Sequence, residues 1–172
     1  MRWIAVALLV IALLVVWRMM FMGYRGRALR QKQEFPRPVG SKDWKRLRDA
    51  VEGTYVSTTD AENALDRIAA HGLGTRSAVA LGFLDEGVGL LREGARSFVI
   101  PTADIVGVGH GPGMVGKWMG KEKGLLVLRW KLGERIVDTG VKPRHPEQGA
   151  RFAEQVEELV RNHKNKNTGG AQ

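Results

Sequence analysis

At 172 residues the chain has room for one ordinary domain with attachments. It contains no cysteine, which excludes disulfide stapling, thiolate catalysis and cysteine-ligated zinc. The net charge of +9 is local: between Arg18 and Arg48 ten lysines and arginines face two acids, Glu34 and Asp43, a surplus of eight. Arg2 adds one, and from Asp49 onward sixteen bases cancel sixteen acids. A charge-balanced region behind a basic segment is not the pattern of a nucleic-acid-binding domain, whose positive charge lies on its folded face, so no nucleic-acid partner is expected.

The first element is apolar. Trp3 to Trp17 carries no polar side chain, and counting on through Arg18 to Met22 gives a run of residues 3–22, about 30 Å of helix and enough to cross a hydrocarbon core. Arg18 would snorkel towards the headgroups. Trp3, Trp17, Phe21 and Tyr24 sit where interfacial aromatics belong. No A-x-A-like cleavage site follows Trp17, so the pattern favours an uncleaved anchor, residues 1–24, over a signal peptide. The cluster Arg18, Arg25, Arg27, Arg30 and Lys32 outweighs Arg2 and the terminal amine. The positive-inside rule then puts the N-terminus outside and everything after Met22 in the cytoplasm, at the inner face of the cell membrane. The same cluster would lie against anionic lipid, each charge contributing about 1 kcal/mol, or would serve only as the topology signal.

Residues 25–52 read as a basic juxtamembrane linker with a short helix. FPRPVGSKD (Phe35 to Asp43) has linker composition. WKRLRDAVE spaces Trp44, Leu47 and Val51 as a helix would, with Ser41 or Asp43 as N-cap and Gly53 as the stop. That helix would lie on the membrane surface or pack on the domain. From Gly53 to Lys142 the signature changes to short β-rich runs. Thr54–Thr59, Ser77–Leu84, Val88–Arg92, Ser97–Ile100, Asp104–Gly109, Gly124–Trp130 and Arg135–Val141 read as strands, with hairpin turns at Asp85–Gly87 and Lys131–Glu134. Ala64–Ala70 fits strand or helix equally. Strand spacing near ten residues without intervening helices indicates an antiparallel barrel or sandwich. A final helix opens at Pro146, with Phe152, Val156, Leu159 and Val160 on one face. Residues 164–172 have nothing to bury and read as a disordered tail.

GHGPGMVGKWMGKEKG (Gly109 to Gly124) holds both G-x-G-x-x-G, at Gly111, Gly113 and Gly116, and G-x-x-x-x-G-K ending at Lys117. Such glycines cradle phosphate only when a strand precedes them and a helix N-terminus follows. Here Trp118 stands where a P-loop needs Ser or Thr, more glycines follow, and the chain re-enters a strand. The stretch reads instead as a long connection. Met114, Trp118 and Met119, interleaved with Lys117, Lys121 and Lys123, would suit a protein partner or a lipid surface; alternatively Trp118 packs back on the barrel.

Other chemistry is sparse. His71, His110, His145 and His163 form no metal-spaced pair and read as surface residues; no G-x-S-x-G elbow occurs. Asp85 and Glu86 are turn residues, and Arg67, Arg76, Arg92 and Asp66 are charges that could pair within the barrel, which the sequence does not decide. With no convergent catalytic set, the expectation is a non-enzymatic protein without cofactor or metal.

Seven strands followed by one amphipathic helix resemble the pleckstrin-homology (PH)-like barrel, in which the helix plugs two roughly orthogonal sheets. With the anchor, the layout resembles a family of small actinobacterial single-pass membrane proteins carrying a cytoplasmic PH-like domain, here residues 53–163. The residues bearing the resemblance are GTYVSTT (Gly53 to Thr59), LDRIAAHGLGTRSAVA (Leu65 to Ala80), FVIPTADI (Phe98 to Ile105), GLLVLRW (Gly124 to Trp130) and VDTG (Val137 to Gly140). In phosphoinositide-binding relatives the loop after the first strand is basic. Its counterpart here, Asp60 to Asn63, is acidic, which removes the reason to carry that ligand over. The resemblance implies a module that scaffolds or recruits a protein at the membrane. The alternatives are a lipid- or small-ligand-binding module and an accessory subunit of a transport or export complex.

Overall fold

The computed structural model describes residues 2–111 and 124–169. Helix α1 (Arg2–Glu34) is one continuous element of 33 residues, about 50 Å long. Its described apolar side chains point outward into open space, as with Trp3 at 85% exposure and Leu8 at 63%. Among the described residues no helix is long and apolar enough to cross a membrane. Side chains described without a break there run only from 8 to 23, about 24 Å of helix.

The chain then forms one antiparallel sheet of seven strands: β1 (Arg48–Asp60), β2 (Ser77–Leu84), β3 (Gly87–Arg92), β4 (Phe98–Pro101), β5 (Ile105–Gly111), β6 (Leu125–Leu132) and β7 (Arg135–Pro143). Their order is β4-β3-β2-β1-β7-β6-β5. The expected pair of sheets is therefore a single open sheet whose two halves share β1. Thirteen residues long, β1 pairs with β2 from Arg48 to Tyr55 and with β7 from Gly53 to Asp60. Register shifts at Arg48/Val51 and Tyr55/Ser57 supply the bends that let one strand serve both halves. Helix α2 (Pro146–Gly169) covers the opening. Phe152 and Val156 are fully buried, and Phe152 stacks on Phe83 at 4.6 Å. Inside, Phe98 links Tyr55 and Trp130 through ring contacts at 6.2 and 5.9 Å.

Three sequence expectations change. Trp44–Glu52 is not a helix: only Trp44–Arg46 makes a 3-10 turn, and β1 starts at Arg48, five residues before Gly53. The helical spacing of Trp44, Leu47 and Val51 is overridden because Val51 pairs with Leu81 and enters the core. Residues 164–169 continue α2 rather than starting a disordered tail. The β1–β2 connection is the whole of 61–76, with a Thr59–Arg67 bridge and a 3-10 turn at Ala70–Gly72. It is not the acidic Asp60–Asn63: within 61–76 Glu62 and Asp66 balance Arg67 and Arg76.

Candidate functional site

Two features organise the surface: the junction between α1 and the barrel, and a groove on the outer sheet face. At the junction the last turn of α1 meets the β1–β2 connection. Gln31, only 7% exposed, accepts from the Ala69 amide at 2.6 Å and donates to the Arg67 carbonyl at 3.3 Å. One side chain thus satisfies both sides of a bent backbone. His71, in a positive-φ conformation (φ 55°), donates through Nε2 to the Phe35 carbonyl at 2.9 Å. It is therefore a half-buried tie rather than the free surface histidine expected. Phe35 is buried beneath the Arg135 guanidinium, which also pairs with Glu34 and, at 3.0 Å, with Asp60.

Residues 36–47, expected as a linker, are a strap bound along the barrel. Pro36 lies against Gly133, where any Cβ would come within 2.9 Å of its ring. Val39 accepts from the Val99 amide at 2.8 Å, extending the edge of β4. Ser41 reaches Glu86, and Arg46 and Arg48 reach Asp85; being exposed, these pairs add little each. Trp44 and Leu47 then settle over Gly89, and Leu47 also over Gly82. At 82 an added Cβ would stand 2.6 Å from the Arg48 carbonyl oxygen, which requires glycine; at 89 it would stand 2.9 Å from Leu47 and Leu84 methyl carbons, which would have to shift.

The groove, about 630 Å³, lies on the same outer face where β3, β2, β1 and β7 run side by side. Strand alternation builds it. Val79, Leu81 and Tyr55 point into the core, which leaves Ala78, Ala80 and Thr54 outward as a floor of small side chains. Leu91, 37% exposed, flanks that floor. Arg76 and Lys142 stand at the rim with Glu93, while Arg144 is tied to Glu52 at 3.0 Å. Among the described residues neither Arg76 nor Lys142 has an ion-pair partner.

The sequence-derived candidates are scattered against this geometry. Met114, Lys117, Trp118, Met119, Lys121 and Lys123 lie outside the described residues. The strands that carry their loop, β5 and β6, are joined through Leu125 at one end, while Gly133 at the other end touches the strap. Seven residues of β6 lie between those points, which are about 26 Å apart along the strand. Arg18 and Lys32 are exposed on α1; Arg25, Arg27 and Arg30 belong to the same helix, with side chains outside the description.

Of the charges that could pair within the barrel, Arg92 and Asp66 form no ion pair among the described residues. Arg92 is buried and has no carboxylate partner among the described residues. Its guanidinium donates to the carbonyls of Gly72, Thr75 and Arg96 and to Ser77 Oγ, and lies 3.8 Å over the Tyr55 ring. Burial lowers its pKa, partly offset by Tyr55. The Tyr55 hydroxyl donates to the Leu73 carbonyl and meets Thr58 Oγ1, both at 2.6 Å. Burial pushes its pKa up to about 12, against the opposing pull of the Thr58 bond and Arg92. These groups lock the β1–β2 connection to the barrel and are structural. No spacing in the sequence announced them, because their partners are main-chain carbonyls.

Among the described residues no group of three or more histidines and carboxylates could hold a metal ion. No curated protein matches the chain. The bacterial PH domain-like family matches residues 32–157. That span starts at the docked end of α1 and takes in the strap, so the match, like the contacts, counts the strap as part of the domain. With seven antiparallel strands, a C-terminal helix and a family match over most of its length, the chain belongs to the bacterial PH domain-like family.

Proposed function

We propose that this protein is a non-enzymatic, single-pass adaptor that holds a PH-like barrel at the inner face of a membrane and recruits a protein partner to it. Residues 3–22 lie in the bilayer, the N-terminus is outside, and residues 23–34 form a basic stalk entering the cytoplasm. The observation that carries the reading is the continuity of α1: one helix exposes apolar side chains at its N-terminal part and is clamped to the barrel through Gln31 and Phe35 at its end. Water does not tolerate so large an apolar surface, whereas a bilayer requires it. From Gly23 to Gln31 the stalk rises about 12 Å, which keeps the barrel close to the headgroups, with Arg25, Arg27, Arg30 and Lys32 between them.

A second reading, contact of the barrel itself with lipid, is favoured by Leu65, 79% exposed on the connection whose Arg67 and Ala69 bind Gln31. Flotation of full-length protein in detergent-free proteoliposomes cannot separate these readings, because the anchor floats by itself. Residues 32–172 carry the whole family match; their binding to vesicles of neutral and of anionic lipid separates them. No flotation at any anionic content supports the protein adaptor, and salt-sensitive flotation lost in Leu65→Asp supports lipid contact. For topology, a reporter fused after Gln172 is expected to be cytoplasmic; an external reporter would overturn the proposal.

A further inference from the structure

The strap and the groove share one face. On β2 and β3 the outward positions are Gly82, Gly89, Ala80, Leu91 and Ala78, a continuous track of small and aliphatic residues. The chain's own Trp44 and Leu47 cover the glycine end of this track. The other end stays open as the groove, whose floor continues across β1 through Thr54. The molecule therefore already displays, in cis, the kind of segment that this face accepts: a short turn presenting two apolar side chains. Beyond the strap the rim changes character. Arg76 and Lys142 stand there without ion-pair partners among the described residues, against the single uncompensated acid Glu93.

We infer that the groove binds a short segment of a partner protein that lays an apolar side chain on Ala78 and Ala80, beside the strap, and directs acidic side chains to Arg76 and Lys142. Continuity with the strap's own interface argues for a peptide segment. The groove is open along one side rather than enclosed, which suits an extended segment better than a small molecule that must be largely buried. The charge choice follows from the rim: an acidic segment gains two attractions and meets one repulsion, and a basic segment the reverse. This inference rests on the adaptor reading for its biological setting but not for its chemistry, so the two can fail separately.

The test uses the full chain in nanodiscs of neutral lipid and a phage-displayed random dodecapeptide library. Clones combining leucine or an aromatic residue with net negative charge are expected to enrich. Their synthetic peptides should bind at least tenfold more weakly to Ala80→Trp, which fills the groove from the outer face, and should weaken with salt. Arg76→Glu combined with Lys142→Glu alters only exposed side chains and should reverse the selection towards basic clones. A structural role for these residues would not produce that reversal. Thermal melting of each variant checks that the barrel still folds. Absence of enrichment, enrichment indifferent to charge, or binding unaffected by Ala80→Trp in a folded protein would each overturn the inference. If instead the chain proves soluble in cells while groove-dependent clones persist, the adaptor reading fails and the groove stands.

Discussion

Helix α1 and the barrel use the same aliphatic residues in opposite ways. In the barrel, Val79 and Leu81 alternate with the small residues Ala78, Ala80 and Gly82, and they, like Leu90, Ile100 and Leu128, are almost wholly hidden. In α1, Ile4, Leu8, Leu9, Leu13 and Leu14 follow no such alternation and are about half to two-thirds exposed. The barrel buries apolar surface against itself. A single helix cannot do that and can satisfy only its own backbone. On the adaptor proposal that contrast reflects two solvents, a bilayer around residues 3–22 and water around the barrel, with the stalk and the Gln31 junction on the water side.

The strongest test of that contrast places charge in the helix. Leu9→Lys with Leu13→Lys costs about 3 kcal/mol of insertion for each lysine. The protein is expected to move from the carbonate-washed membrane fraction to the soluble one while the barrel's melting transition stays where it was. Retention in the membrane would remove the anchor. The complementary change, Phe98→Ala, deletes the ring joining Tyr55 to Trp130 and should cost the barrel about 3–5 kcal/mol. Thermal unfolding monitored by tryptophan fluorescence should shift down, with membrane association intact.

A smaller effect separates the barrel's buried polar lock from its apolar core. Because burial raises the Tyr55 pKa to about 12, the folded state holds the phenolic proton more tightly than the unfolded chain, whose tyrosine titrates near 10. The sign follows: Tyr55 contributes fully below pH 10, and about 3 kcal/mol of stability is lost as pH rises from about 10 to about 12. Denaturant melts of the wild type and of Tyr55→Phe at several alkaline pH values should show a steeper fall for the wild type. Parallel curves would contradict the lock. The smallest effect concerns the junction alone. Gln31→Ala leaves the Ala69 amide and Arg67 carbonyl without their side-chain partner, a local cost of about 1–3 kcal/mol. Exchange of the Ala69 amide should accelerate about tenfold or more while the barrel's melting transition barely moves. Gln31→Glu, which can still accept from Ala69, should lose less.

Strand positions were legible because alternation survives wherever one face is buried. Ser77–Leu84 and Arg135–Val141 fall inside observed strands, and Phe152 and Val156 reach the core as their spacing indicated. The candidate contact residues fared differently. Spacing drew attention to the glycine-rich stretch, whereas the groove is made of Thr54, Ala78 and Ala80, small residues that carry no motif. Their meaning depends on standing next to one another across two strands, β1 and β2.

The one-dimensional pattern was enough to establish an apolar N-terminal run, a basic segment after it, about seven strands and a final amphipathic helix, since period and composition are local properties. The strap, the Gln31 clamp, the buried Arg92 and the groove arose from the folded arrangement. Each is a contact between residues ten to a hundred positions apart, and Gly82 or Ala80 acquires its role only from what packs against it. Local sequence encodes which residues avoid water; it does not encode which of them will meet.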